Sequence, residues 1–216
     1  MTQSREEGLI TIRTAVLDGD MDGISALVSS ALSEGLAPES ILSESLTAAM
    51  AIVGDEYERG ERFVPEMLVA AETMKIALSI LQPLLKEDDV PPAGVVIIGT
   101  VEGDLHDIGK DLVAMMLEGA GFQVVNLGVD VSADAFVRAA RESQADIVAM
   151  SALLTTTMVN MRGVVEALEA AGVRDTVRVM VGGAPLSSEF AESIGADGYA
   201  SDAASAVRLA KHLLES

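Results

Sequence analysis

Cysteine is missing from the chain altogether. That removes disulfides, thiolate metal sites and cysteine nucleophiles, and it is compatible with the cytoplasm. Tryptophan is also absent and aromatic residues make up only 3%, too few rings for the stacking platforms that hold single-stranded nucleic acid. Basic residues are scarce: 14 lysines and arginines face 34 acidic residues, a formal charge of −20. Phosphate-backbone binding relies on clustered lysine and arginine, so nucleic acid is not an expected partner. No apolar run approaches the roughly 20 residues of a membrane span. The opening Met1-Thr2-Gln3-Ser4-Arg5-Glu6-Glu7 shows no basic region followed by an apolar one, so no signal peptide is visible. The expectation is a cytoplasmic protein with no membrane partner, whose acidity serves solubility or steers it to basic faces of other proteins.

What is present is enough apolar residue for a real core. Half of the 216 residues are hydrophobic, which suits one large domain or two small ones. Residues 1 to about 88 offer no convincing strand. Leu9, Ile12 and Val16 mark one helix, and Ile24, Leu27, Val28, Ala31 and Leu32 a second. A third starts at Pro38 and carries Leu42, Leu46, Met50, Val53 and Tyr57. A fourth opens at Val64-Pro65-Glu66, with Val64, Met67, Ala71, Met74, Leu78, Leu81 and Leu85 stepping by three and four as a bundle seam. The expectation is a four-helix bundle. Asp18-Gly19-Asp20-Met21-Asp22-Gly23 matches half of a calcium loop, but Ser29 stands where the bidentate glutamate belongs. A polar turn capping the second helix is the expected role. Lys86 to Ala93, charged and then carrying Pro91-Pro92, reads as a linker and possible hinge.

From there, strands and helices alternate through residues 91–216. Strand patterns fall at 94–100, 123–127, 146–151, 177–182 and 197–200, with helical patterns between them. Five β–α units imply a doubly wound, flavodoxin-like parallel sheet of order 2-1-3-4-5. The first strand runs into Gly99-Thr100-Val101-Glu102-Gly103-Asp104-Leu105-His106-Asp107-Ile108-Gly109-Lys110. That loop puts a histidine between two aspartates at the rim where open α/β sheets bind ligands. The third strand ends in hydroxyls, from Ser151 through Thr155, Thr156 and Thr157; the fourth ends in Gly182-Gly183.

Several ordinary sites fail on spacing. Gly99, Gly103 and Gly109 do not give G-x-G-x-x-G, and Gly109-Lys110 is followed by Asp111 rather than serine or threonine. A zinc hydrolase usually takes three protein ligands, and the second histidine, His212, has no partner motif. A serine triad lacks the G-x-S-x-G elbow. What remains for one histidine with a carboxylate is a metal ligand tuned through its other nitrogen. One protein ligand suffices only where a macrocycle supplies the rest.

Asp104-x-His106-x-x-Gly109, Ser151-x-Leu153 and Gly182-Gly183 resemble, in order and spacing, the signature of cobalamin-binding domains. The bundle, with Phe63-Val64-Pro65-Glu66-Met67-Leu68, resembles the cap domain of methionine synthase and of the corrinoid proteins in methanol, methylamine and methoxy-aromatic methyltransferase systems. The resemblance implies a cap (1–90) followed by a Rossmann-like cobalamin domain (91–216). It implies a corrinoid bound base-off/His-on, with His106 as lower cobalt ligand in place of dimethylbenzimidazole. Asp104 would accept a hydrogen bond from the other ring nitrogen, and Thr157 stands where the family often has a serine. The nucleotide tail would pass Ser151, Leu153, Thr155, Gly182 and Gly183, with Tyr199 and Asp202 near its far end. Phe63, Met67 and Met74 would cover the upper face. The implied function is a methyl carrier without activity of its own. It takes a methyl group onto cobalt(I) from a substrate-specific methyltransferase and presents methyl-cobalt(III) to a corrinoid:pterin or corrinoid:thiol methyltransferase, with a reductive activase as a further partner. The alternative is a cobalamin-dependent sensor or regulatory module.

Overall fold

A computed structural model describes residues 2–85 and 92–215, with the side chains of 2–4 and 58 left aside. The chain divides into two compact units, Met1–Pro91 and Pro92–Ser216. Most of the linker, including Pro91, lies outside the described residues.

The first unit is helical. α1 (Thr2–Asp18) packs on α2 (Ile24–Ser33), on α4 (Ala48–Glu58) and on α5 (Val64–Leu81). Their apolar stripes bury Ile12, Val16, Ile24, Val28, Val53, Met67 and Leu81 almost completely. Between α1 and α2, Asp20 Oδ1 accepts the Gly23 N–H at 2.8 Å. The calcium-like sequence is thus a polar turn at the start of α2, and no group of three potential metal ligands gathers among the described residues.

Two features depart from the sequence reading. The third helical rod is not uniform: α3 (Pro38–Ser40) widens into a π-helical stretch, Ile41–Thr47, before α4. There the buried Ser45 hydroxyl donates to the Leu9 carbonyl of α1 at 2.8 Å, so a polar group in the bundle is satisfied across helices. The second departure is the end of α5, which stops at Leu81 instead of reaching Leu85. Pro83 explains it, since a proline there lacks the N–H and its ring clashes with the carbonyl one turn back. At the other end, Pro65 sits in the first turn and Glu66 Oε2 accepts the Phe63 N–H at 2.8 Å.

The second unit is a five-stranded parallel sheet of order β2-β1-β3-β4-β5. Its strands are β1 (Val95–Thr100), β2 (Gln123–Asn126), β3 (Ile147–Ser151), β4 (Arg178–Gly182) and β5 (Gly198–Ala200). The helices are α6 (Ile108–Gly119), α7 (Ala133–Glu142), α8 (Asn160–Ala170), α9 (Ser188–Ser193) and α10 (Ala203–Glu215). Both sheet faces are covered, which is why the strands are apolar throughout. Ile97, Val148, Met150, Val179 and Val181 join Phe136 and Leu168 on one face; Val96, Ile98, Ala149 and Met180 join Leu117 and Ala210 on the other. Gly99 makes room for Phe136, whose ring lies 2.9 Å from where a Cβ would stand. The register lines up Thr100, Ser151, Gly182 and Ala200 in one row at the carboxyl ends of four strands. The three sequence motifs leave the sheet from that row.

Candidate cofactor site

Asp104 is fully buried, yet it lies in a loop outside the sheet. A carboxylate there survives only if its oxygens are satisfied. Oδ2 accepts the Thr157 hydroxyl at 2.6 Å, the Leu153 N–H at 2.8 Å and the Leu154 N–H at 3.3 Å. Oδ1 accepts the His106 N–H at 3.1 Å and lies 2.6 Å from His106 Nδ1. Burial alone would push this carboxyl up, but the donors from Thr157, His106 and Leu153 outweigh it and hold it well below the usual carboxylate range.

The protonation of the imidazole follows. An ionised carboxylate only accepts, so Nδ1 carries the hydrogen, and in the neutral ring the lone pair is then on Nε2. The His106 side chain is 51% exposed while its carboxylate partner is sealed. The loop thus offers one nitrogen donor on a half-exposed ring that is oriented from behind by Asp104. No cluster of three potential protein ligands forms among the described residues. A metal whose remaining ligands come with a bound group suits a site built on this single histidine.

The surroundings fit a large apolar group. Leu105 (70% exposed), Ile108 (82%), Leu153, Leu154 and Val159 all leave their side chains in solvent around this loop. They make up most of the exposed large hydrophobic residues described in this unit. Gly109, in the first turn of α6, has no atom of the described residues, beyond its chain neighbours and its own helix backbone, within 4 Å of where a Cβ would stand. Packing within the chain gives no reason for glycine there, whereas close approach of a ligand would. The donor set and this open apolar apron together fit a corrinoid.

The expected tail-binding residues are less uniform. Ser151 is half-buried at the end of β3 and Thr155 is exposed. Gly182 and Gly183 are not simply an open floor: a Cβ on Gly183 would stand 1.9 Å from the Ala152 carbonyl oxygen, and one on Gly182 would stand 3.1 Å from that of Ala200. These glycines let neighbouring backbone segments close on one another. Tyr199 is half-buried opposite Val181 on β5. Asp202 opens α10: its Oδ1 accepts the Ser205 N–H at 2.8 Å while its own N–H donates to the Ser205 hydroxyl at 3.1 Å. In the helical unit Phe63 is 68% exposed, whereas Met67 and Met74 are buried, as seam residues facing other helices should be. Of the three residues expected to cover a cofactor, only Phe63 presents its side chain.

Several site residues were not read from the sequence. Thr100, fully buried, donates its hydroxyl to the His106 carbonyl at 2.9 Å. Asp130 Oδ1 accepts the Gly103 N–H at 2.7 Å. Lys110, nearly buried at the start of α6, bonds Asp111 and reaches Asn126 Oδ1 at 2.8 Å. A polar residue closing an apolar strand was the one visible signal, at Thr100.

Comparison with known proteins accords with this geometry. Residues 94–208 match a family model described as a B12 binding domain, and residues 11–82 match a second model of the same description. Trimethylamine corrinoid protein 2 of Methanosarcina acetivorans is 44% identical over 214 residues, covering 98% of this chain and 99% of that one. A crystal structure of a cobalamin-binding protein from Desulfitobacterium hafniense superposes with a TM-score of 0.77 at 31% identity, covering 95% of this chain and 98% of that one. The methanol:cobalamin methyltransferase complex of Methanosarcina barkeri gives a TM-score of 0.88 at 27% identity, covering 97% of this chain and 80% of the other. No described helix is long and apolar enough to cross a membrane. With both units matched and the Asp104–His106 loop in place at the strand rim, this chain belongs to the B12-binding corrinoid proteins.

Proposed function

We propose that the protein is a methyl carrier that serves two methyltransferases and binds its corrinoid base-off with His106 Nε2 as the lower axial ligand. The corrinoid, when bound, supplies a cobalt that accepts a methyl group from a substrate-specific methyltransferase and yields it to a pterin- or thiol-dependent one. The observation that carries the reading is the 2.6 Å contact of His106 Nδ1 with a fully buried, ionised Asp104. It commits the imidazole to one tautomer and leaves one nitrogen donor.

The chain's own residues divide the work. His106 presents Nε2; Asp104 holds the ring and a proton at Nδ1; Thr157 and the Leu153 and Leu154 amides keep Asp104 charged. Leu105, Ile108 and Leu153 give an apolar surface that excludes water from the lower side of a bound ring. Ser151, Thr155, Gly182, Gly183, Tyr199 and Asp202 are proposed along the tail, though Gly183 and Asp202 also have structural duties of their own. The exposed Phe63 is the proposed contact of the cap with the upper face. The reaction partners supply specificity, so the chain needs no activity alone. A reductive activase would restore the reduced cobalt.

Reconstitution of the apoprotein with hydroxocobalamin tests this. The wild type should retain the corrinoid through gel filtration with the spectrum of a nitrogen-ligated, base-off form. His106→Ala should lose the nitrogen signature. A wild type that elutes free of corrinoid ends the proposal.

A further inference from the structure

Among the described residues, Asp130 and Gln144 alone adopt a positive φ without being glycine. Gln144 (φ 49) follows the last turn of α7, where a left-handed residue commonly closes a helix. Asp130 (φ 54) has no such excuse: it precedes α7, in the loop that follows β2. A strained residue persists where its surroundings over-determine it, and such positions cluster at functional sites.

What determines Asp130 is the histidine loop. Its N–H donates to the Asp104 carbonyl at 3.0 Å, and its carboxylate accepts the Gly103 N–H at 2.7 Å. The two bonds make a bracket across consecutive residues of the neighbouring loop. Gly103 itself has φ +82, so its N–H is turned toward Asp130 by a conformation other residues resist. The loop carrying Asp130 is tied to the end of β1, since Thr100 N–H donates to the Gly128 carbonyl and Val131 N–H to the Thr100 carbonyl, both at 3.0 Å. At its far side the histidine loop is tied to that same residue by the Thr100 hydroxyl on the His106 carbonyl. The main chain of Asp104 is thereby held from both sides.

We propose that Asp130 is a positioning residue for His106. By fixing the main chain at Gly103 and Asp104 it aims the Asp104 carboxylate at Nδ1, and so selects the tautomer that leaves Nε2 as donor. This rests on the reading of His106 as the cobalt ligand for its consequence, but the bracket acts on the imidazole with or without a corrinoid. The 2.6 Å contact between Asp104 and Nδ1 has little slack. A rotation of the Asp104 backbone would break it and return the ring to a mixture richer in Nε2–H.

The test reads the ring directly. Nitrogen-15 spectra of the full-length apoprotein, recorded where imidazole is neutral and assigned with His106→Gln, report the Nδ1–H to Nε2–H ratio. Wild type and Asp130→Asn should be mainly Nδ1–H, because asparagine both accepts at Oδ1 and tolerates the left-handed region. Asp130→Ala and Asp130→Gly should lower the ratio roughly threefold or more, the lower end of what a single intramolecular hydrogen bond contributes. Asp130→Gly relieves the backbone strain, so a lowered ratio in a variant at least as resistant to urea separates positioning from mere stability. Wild-type ratios in both the alanine and glycine variants would overturn the proposal, as would a wild-type ring that is mainly Nε2–H. Hydroxocobalamin retention, measured on the same samples, judges the carrier function separately: wild type failing to hold corrinoid sinks that reading while the tautomer shift still decides the bracket.

Discussion

Five donors converge on Asp104, a carboxylate that solvent does not reach. Hydrogen bonds to a charged group contribute about 1.5–3 kcal/mol each when one partner is removed. Thr157→Val keeps the shape and deletes the hydroxyl, so it should lower stability by about 1.5–3 kcal/mol in urea denaturation. Thr157→Ser keeps the hydroxyl and loses a methyl group that packs over Gly103, a loss of about 0.8 kcal/mol. If the two variants are equally stable, the hydroxyl is not holding Asp104. Asp104→Asn presents an N–H₂ where the cluster needs an acceptor; it should cost at least about 2 kcal/mol and release the His106 tautomer. Serine and threonine can both donate a hydroxyl to Asp104 at this position and differ by the methyl group that packs near Gly103.

Helices and strands carry a different kind of prediction, because at their ends fold and ligand compete for the same residues. Gly109 lies in the first turn of α6 with open space where a side chain would be. Gly109→Ala should leave the apoprotein as stable or up to about 1 kcal/mol more stable, since alanine is the better helix former. Corrinoid retention should fall in the same variant; unchanged retention would remove Gly109 from the site. Asp202 shows the opposite case, a suspected ligand residue with a clear structural task. Burial pushes its carboxyl up, but the Ser205 N–H and the Ser201 and Ser205 hydroxyls outweigh this and hold it below its ordinary value. A folded value below the unfolded one, about 3.9, means its contribution is complete above that pH and is lost as pH falls through the folded value. Asp202→Asn should flatten the acid limb of a melting-temperature profile below about pH 4 while keeping the α10 cap. The same element ends show how far the sequence could be read. Strand order and the rim position of His106 follow from apolar runs and their spacing, which depend on local residues alone. The π-helical Ile41–Thr47, the Leu153 and Leu154 amides and the Asp130 bracket were invisible because main-chain donors carry no residue code. Pro83 was legible and overrides the seam that runs past it.

Across the whole chain, each unit has its own buried apolar core: the bundle around Ile12, Val16 and Met67, the α/β unit on both sides of its sheet. A ligand that binds only the native form adds stability to whatever must be folded to hold it. Every donor to Asp104 and the whole apolar apron belong to Pro92–Ser216. Hydroxocobalamin at about a hundred times its dissociation constant should therefore stabilise that unit by about 2.7 kcal/mol. In a calorimetric scan this appears as an upward shift of one transition, with any separate transition of the bundle following only to the extent that Phe63 shares the ligand. His106→Ala should bind more weakly and shift less at the same concentration, and it should also lower the apoprotein transition, since it removes one donor from the buried Asp104 carboxylate. Phe63→Ala then apportions the effect. If it reduces the corrinoid-induced shift, Phe63 contributes to binding; if the shift is unchanged, Phe63 is removed from the site.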